Sequence, residues 1–226
     1  MKKLMFLIGF VIIGGFAFSV DLSYGIRGAA GLMPGSESNF LDENGKDGAS
    51  PGFTANVGAY LSVNLFPWLS LHSEINVAFM VFSYSIIDET RKTKSKINDS
   101  WQDFEVPILV KFGIPAGKLR FRLLAGPNFA FSVAKLKSSV EKEEFDLEES
   151  SSYTETMPVG NKIRIGWIGG IEMVVAFSED FDFGVDLRYV ASPEEITYFT
   201  HSNELRDITK SQTHRVLLSL AAGWRI

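Results

Sequence analysis

The sequence predicts an all-β chain, an eight-stranded antiparallel up-and-down β-barrel that crosses a membrane. Three observations predict it. Hydrophobicity alternates with period two through eight segments, which is the pattern of a strand with two unlike faces. The connections between those segments alternate between short and long. After the N-terminal leader, no run approaches the 18 or more apolar residues of a spanning helix, so a membrane-crossing chain must cross with strands.

The leader is Met1 to Ser19. Lys2 and Lys3 form a positive start, Leu4 to Phe16 an apolar run, and Ala17-Phe18-Ser19 a small-x-small cleavage site, which together predict a secretory signal peptide. Residues 20–226 are then the barrel domain. Removal of Lys2 and Lys3 from 22 Lys and Arg leaves 20 against 27 Asp and Glu, a net charge of −7. That balance gives no footprint for nucleic acid. The absence of cysteine excludes disulfides, thiol chemistry and thiolate metal sites.

The eight segments fall at about residues 20–33, 52–65, 69–84, 102–113, 119–134, 162–177, 181–190 and 213–226. The second shows the alternation plainly. Phe53, Ala55, Val57, Ala59, Leu61, Val63 and Leu65 form one face; Thr54, Asn56, Gly58, Tyr60, Ser62 and Asn64 form the other. The third repeats it, with Leu69, Leu71, Ser73, Ile75, Val77, Phe79 and Val81 against Ser70, His72, Glu74, Asn76, Ala78 and Met80. Each segment matches or exceeds the 9–11 residues that a tilted strand needs to cross a bilayer. Residues 66–68, 114–118 and 178–180 read as tight turns. Residues 34–51, 85–101, 135–161 and 191–212 read as long polar loops, the longest of them mobile or an extension of its flanking strands. Short turns at one end and long loops at the other place the turns in the periplasm and four loops outside.

Alternation also fits a soluble, lipocalin-like barrel with its apolar face inward. Three features put the apolar face outside. It carries no charge along any segment, as lipid contact requires. The opposite face is rich in small residues, among them Gly25, Gly31, Gly58, Gly126, Gly170 and Gly223, which suit a crowded lumen better than a water-facing wall. Rings such as Phe53, Trp68, Phe112, Phe121, Tyr189 and Trp224 gather near segment ends, as in two interfacial girdles.

Phe104-Glu105-Val106-Pro107-Ile108-Leu109-Val110-Lys111-Phe112 and Leu124-Ala125-Gly126-Pro127 carry a family resemblance. With Glu74, Gly169-Gly170-Ile171-Glu172 and Asp186-Leu187-Arg188-Tyr189, they resemble the porin-like, OmpX/OmpA-like outer-membrane β-barrel family. The resemblance implies an eight-stranded barrel in the outer membrane and no single activity. The final outward row Leu220, Ala222, Trp224 and Ile226 is similar to the C-terminal signal read by barrel-assembly machinery, with Ile226 where the family usually has Phe.

Fifteen charges fall on the inward face: Arg27, Lys111, Arg120, Arg122, Arg164, Arg188, Arg215 and Arg225 against Asp21, Glu74, Asp103, Glu105, Glu172, Asp182 and Asp186. A selective pore would show a ring of one sign. The near-balance favours an internal salt-bridge network that fills the lumen, with Glu74, Glu105, Lys111, Arg122, Glu172, Asp186 and Arg188 as its mid-barrel members. A Ser70–His72–Glu74 row lies on one face of the third segment. Neighbours there are nearly 7 Å apart, beyond direct hydrogen bonding for short side chains, so no catalytic residue is assigned and no enzyme is expected. His201 and His214 suggest no metal site, and no cofactor is implied. The basic Arg91–Lys96 and acidic Glu141–Glu149 runs read as solvated surface, with lipid head groups and a protein or divalent ion as their sharper alternatives. The expected function is a largely filled outer-membrane barrel whose loops serve envelope structure or adhesion. Its partners would be outer-membrane lipid, the assembly machinery and an extracellular ligand. The alternative is a narrow porin-like channel or carrier for small or hydrophobic solutes.

Overall fold

The computed structural model describes residues 21–34, 48–49, 51–88, 93–133, 136–144, 149–157, 163–192, 197–199, 205–207 and 214–226 of the chain. The signal-peptide segment and His201 lie outside the described residues. The described strands are β1 (Asp21–Met33), β2 (Gly48–Ala49), β3 (Gly52–Phe66), β4 (Leu69–Asp88), β5 (Thr93–Ala116), β6 (Leu119–Ser132), β7 (Leu136–Glu144), β8 (Glu149–Met157), β9 (Ile163–Ala176), β10 (Phe181–Ala191), β11 (Thr197–Phe199), β12 (Leu205–Asp207) and β13 (Arg215–Arg225).

Eight of them form a ring. β1 pairs with β3, β3 with β4, β4 with β5 and β5 with β6; then β6 pairs with β9, β9 with β10, β10 with β13, and β13 returns to β1. Every pairing is antiparallel, so the fold is an eight-stranded up-and-down barrel, and its ring strands are the eight alternating segments of the sequence. Closure leaves no open sheet edge in the ring, as a membrane-spanning sheet requires.

The faces follow the period of two. Ile26, Leu123, Ile171 and Leu218 are each more than half exposed, whereas Arg27, Leu124, Glu172 and Leu217 beside them are buried. The exposed face is apolar in all eight ring strands, which makes the barrel transmembrane in type. Rings cluster at the end with the short turns: Trp68 stacks on Phe66 and Phe112 at 5.3 and 6.3 Å, and Trp224 meets Phe181 at 5.5 Å and Tyr24 at 6.1 Å. Tyr189, stacked on His214 at 5.6 Å, marks the opposite end. A depression of about 700 Å³ on the outer wall, floored by Phe121, Ile171, Leu187 and Leu218, belongs to this lipid-facing belt.

Two of the expected long loops contain strand. Residues 85–101 are largely strand, since β4 and β5 stay paired out to Asp88 and Thr93. Within residues 135–161, β7 and β8 form a hairpin that extends the flanking strands β6 and β9 outward, with β7 taking over the pairing with β5 at Ser100 where β6 leaves it at Asp103; of the two readings of this segment, the extension holds. The reason is that water can solvate both faces of a strand beyond the bilayer, so no apolar alternation is needed there. Pairing rests instead on cross-strand partners such as Lys96 opposite Glu141 and Ile97 opposite Val140. Composition shows the charges without their register. The tight connections also differ slightly: Pro115 and Ala116 are strand, and the turn is Gly117-Lys118, with Gly117 at φ 66° where an L-residue would be strained.

The small inward residues have a packing role. Tyr60 on β3 reaches across β1 to β13, and a Cβ on Gly25 or Gly223 would run into its ring or hydroxyl. Gly223→Val is expected to displace Tyr60 and cost about 1–3 kcal/mol by overpacking. Urea unfolding of the refolded protein, followed by heat-modifiable gel migration, measures it; an unchanged midpoint would show that Tyr60 has free room.

Candidate functional site

The lumen holds nearly all the chemistry that the described residues offer. Its side chains come from alternate positions of all eight ring strands, and three tiers of ion pairs stack along it.

The central tier is built from β1, β4 and β10. Arg27 reaches Glu74 at 3.2 Å and Asp186 at 3.3 Å. Arg188 reaches the same two carboxylates at 2.7 Å each. Glu74 also accepts from Asn76 Nδ2 at 2.9 Å and lies 2.8 Å from His72 Nε2. Arg27 donates further to the Ser219 hydroxyl. Two cations thus face two carboxylates with almost no exposure, an arrangement stable only because both sides are paired. Because Glu74 accepts from two guanidinium groups it is ionised, and an ionised carboxylate only accepts; the hydrogen between it and His72 therefore sits on Nε2.

Toward the turns, Lys111 on β5 and Arg122 on β6 share Glu172 on β9 at 2.8 and 3.4 Å. Nearer that mouth, Arg120 and Arg225 share Asp182 at 2.8 and 2.5 Å. Toward the long extensions, Arg215 pairs with Glu105 at 2.5 Å, and Arg164 pairs with Asp103, which also accepts from Ser132 at 3.0 Å. Between the central and outer tiers lies an apolar cluster. Ala29, Leu109, Leu124, Ile168, Val190 and Leu217 come one each from β1, β5, β6, β9, β10 and β13, and all are buried. The reading of the inner face as small and polar misses this cluster, although the inward parity of Leu109, Leu124, Ile168 and Leu217 carries its signal.

The seven sequence-selected residues do not form one group. Glu74, Asp186 and Arg188 meet in the central tier, Lys111, Arg122 and Glu172 form the next, and Glu105 stands apart with Arg215. Arg27, at the centre of the contacts, is outside that selection; only its mid-strand position on the inner face distinguishes it. The expected distance along β4 also needs correction. His72 and Glu74 do hydrogen-bond, because the imidazole and the three-carbon acid arm lean along the strand and close a gap that shorter side chains could not. His72 Nδ1 has no hydrogen-bond partner among the described residues, so no Ser70 hydroxyl stands on that nitrogen as a nucleophile would. His214 lies outside the lumen, 2.7 Å from the Tyr189 hydroxyl.

No protein-family model matches the chain, and no curated protein matches it. Solved structures do. The outer membrane protein OprG of Pseudomonas aeruginosa aligns with a TM-score of 0.57 over 92% of this chain and 96% of that one, at 11% identity. The chain has the fold of the small outer-membrane β-barrels. A major outer membrane protein of Thermus thermophilus aligns at TM-score 0.45 and 13% identity, over 91% of this chain and 99% of that one. Ail, the attachment invasion locus protein of Yersinia pestis, aligns at 0.39 and 13%, over 92% and 100%.

Small outer-membrane barrels of eight strands have lumens narrow enough for side chains to fill. In this barrel the filling is chemically layered. Charged tiers lie on either side of the buried apolar cluster. Among the described residues no group of three or more metal-ligating side chains occurs.

Proposed function

We propose that this protein resides in the bacterial outer membrane as a non-conducting anchor that presents an extracellular β-platform. The filled lumen carries the reading. A solute crossing it would have to break the Arg27–Glu74–Asp186–Arg188 tier and pass the Leu109–Leu124–Ile168–Leu217 cluster, and either step leaves buried charge unpaired or ions unsolvated. The apolar belt, the girdle rings and the similarity to OprG support the membrane location.

The platform is the sheet of β4, β5, β7 and β8 above the ring. β5 pairs with β6 only from Asp103 downward, while Thr93–Ser100 pair with β7 instead. Eight strand residues at about 3.3 Å each raise this sheet roughly 25 Å along β5. Its β8 strand exposes Ser150, Ser151, Ser152, Tyr153 and Thr154. Polar, folded and held clear of the bilayer, this surface suits contact with an extracellular ligand. The belt takes lipid, the assembly machinery inserts the barrel, and the lumen performs no catalysis.

Planar-bilayer recording tests the proposal. Refolded protein inserted at low density should give no conductance steps above the lipid baseline. Stable unitary steps that survive in a variant lacking residues 136–157 would overturn it in favour of a narrow channel.

A further inference from the structure

We infer that the turn end of the lumen is a binding site for a small inorganic anion of about chloride size, entered from the periplasmic side. Charge balance is the first observation. The central tier pairs two cations with two carboxylates, and the outer tier pairs Arg164 and Arg215 with Asp103 and Glu105. At the turn end, Lys111, Arg120, Arg122 and Arg225 form their ion pairs with Glu172 and Asp182. Asp21, which accepts from Asn64 at 3.4 Å, and Asp180, whose charge also acts on Arg225, raise the acids there to four. The end as a whole is therefore balanced, but around its inner cavity Lys111, Arg120 and Arg122 stand against Glu172 and Asp182, and the deepest of these cations, Lys111, is almost wholly buried. Cations in a low-dielectric wall attract an anion more strongly than the same cations in water.

The second observation is a small cavity bounded by buried polar atoms. A cavity of about 30 Å³ is lined by Lys111, Arg120, Arg122, Ser62 and His72, with Glu172 and Asp182 at its sides. Ser62 and His72 are 3% and 2% exposed, and Ser62 Oγ and His72 Nδ1 lack hydrogen-bond partners among the described residues. Tyr60 lies against His72, with ring centroids 4.8 Å apart. Ser62 Oγ–H is a ready donor to an anion. A neutral His72 ring with its hydrogen on Nε2 would offer Nδ1 as an acceptor, which a water beside the anion would satisfy. The cavity exceeds the roughly 10–15 Å³ that one water requires, and it suits one monatomic anion or a pair of waters.

Access is the third. A vestibule of about 480 Å³, lined by Asp21, Phe66, Pro67 and both Arg120 and Arg122, opens at the turn end and shares Asn64 and the two arginines with the inner cavity. The central tier closes the cavity on its other side, so the site is a dead end and is compatible with a barrel that does not conduct. Larger oxyanions stop in the vestibule.

The test is thermal unfolding of the refolded full-length barrel in detergent, in sodium chloride, sodium bromide or sodium gluconate at matched ionic strength. Chloride and bromide should raise the midpoint in a saturable way, and gluconate should not. Ser62→Ala and Arg122→Gln should each shift the chloride midpoint concentration upward by roughly tenfold, the scale of one lost charge-assisted contact. Arg215→Gln, in the outer tier, should leave that concentration unchanged even if it lowers overall stability. Equal stabilisation by all three salts, or an Arg215→Gln shift as large as that of Arg122→Gln, would overturn the site. Bromide anomalous scattering from crystals grown in sodium bromide gives a second readout. A peak between Lys111 and Arg122 supports the site, and full-occupancy water there overturns it.

Discussion

Replacing Glu74 by Ala is expected to destabilise the folded barrel by about 3–5 kcal/mol, because it strands Arg27 and Arg188 on one remaining carboxylate in a wall with almost no water. The double variant Glu74→Leu with Arg27→Met should lose less than Glu74→Ala alone, since it removes a cation with its partner. Urea titration in lipid vesicles, followed by heat-modifiable gel migration, gives both values. A loss below about 1 kcal/mol for Glu74→Ala would mean that water solvates the tier. The lumen would then be wet, and the channel reading would displace the anchor.

The second large effect lies on the other face. Ile171 is 57% exposed near the middle of β9, and Ile171→Arg should cost about 2–4 kcal/mol, while Ile163→Arg at the strand's outer end should cost about 0–1 kcal/mol. The gradient is the diagnostic part. Lipid penalises a charge according to depth, whereas water would accept both substitutions equally. Equal and small costs, with partition of the protein into the aqueous phase of a detergent extraction, would convert the assignment to a soluble barrel with an unusual apolar coat.

These two variants separate what was legible from what was not. Ile171 and Glu172 are neighbours in sequence and opposites in fate, and period two alone sorts them. The same rule sorted the walls of all eight ring strands, because a closed barrel leaves each strand only an inside and an outside. It failed for residues 85–101 and 135–161, where water bathes both faces and alternation has no reason to appear. There, the β4–β5 extension was hidden in polar composition, and for residues 135–161 the structure decided between a mobile loop and the extension of the flanking strands that β7 and β8 form.

The lumen shows the same division at finer scale. Parity listed the inward charges, and near-balance suggested that they pair. Which charge meets which depends on strand register and tilt, and neither is written locally. Arg27 and Asp186 are 159 residues apart in sequence and adjacent in space because β1 and β10 both flank β13. The sequence by itself determined the barrel class, the outward apolar wall and the charges on the inner face of the ring, since each rests on a local period of two read against the cost of charge in lipid. The tiers, the apolar cluster between them and the cationic lining of the turn-end cavity were decided only by the tertiary structure, because closure of the ring sets the height at which every inward side chain stands.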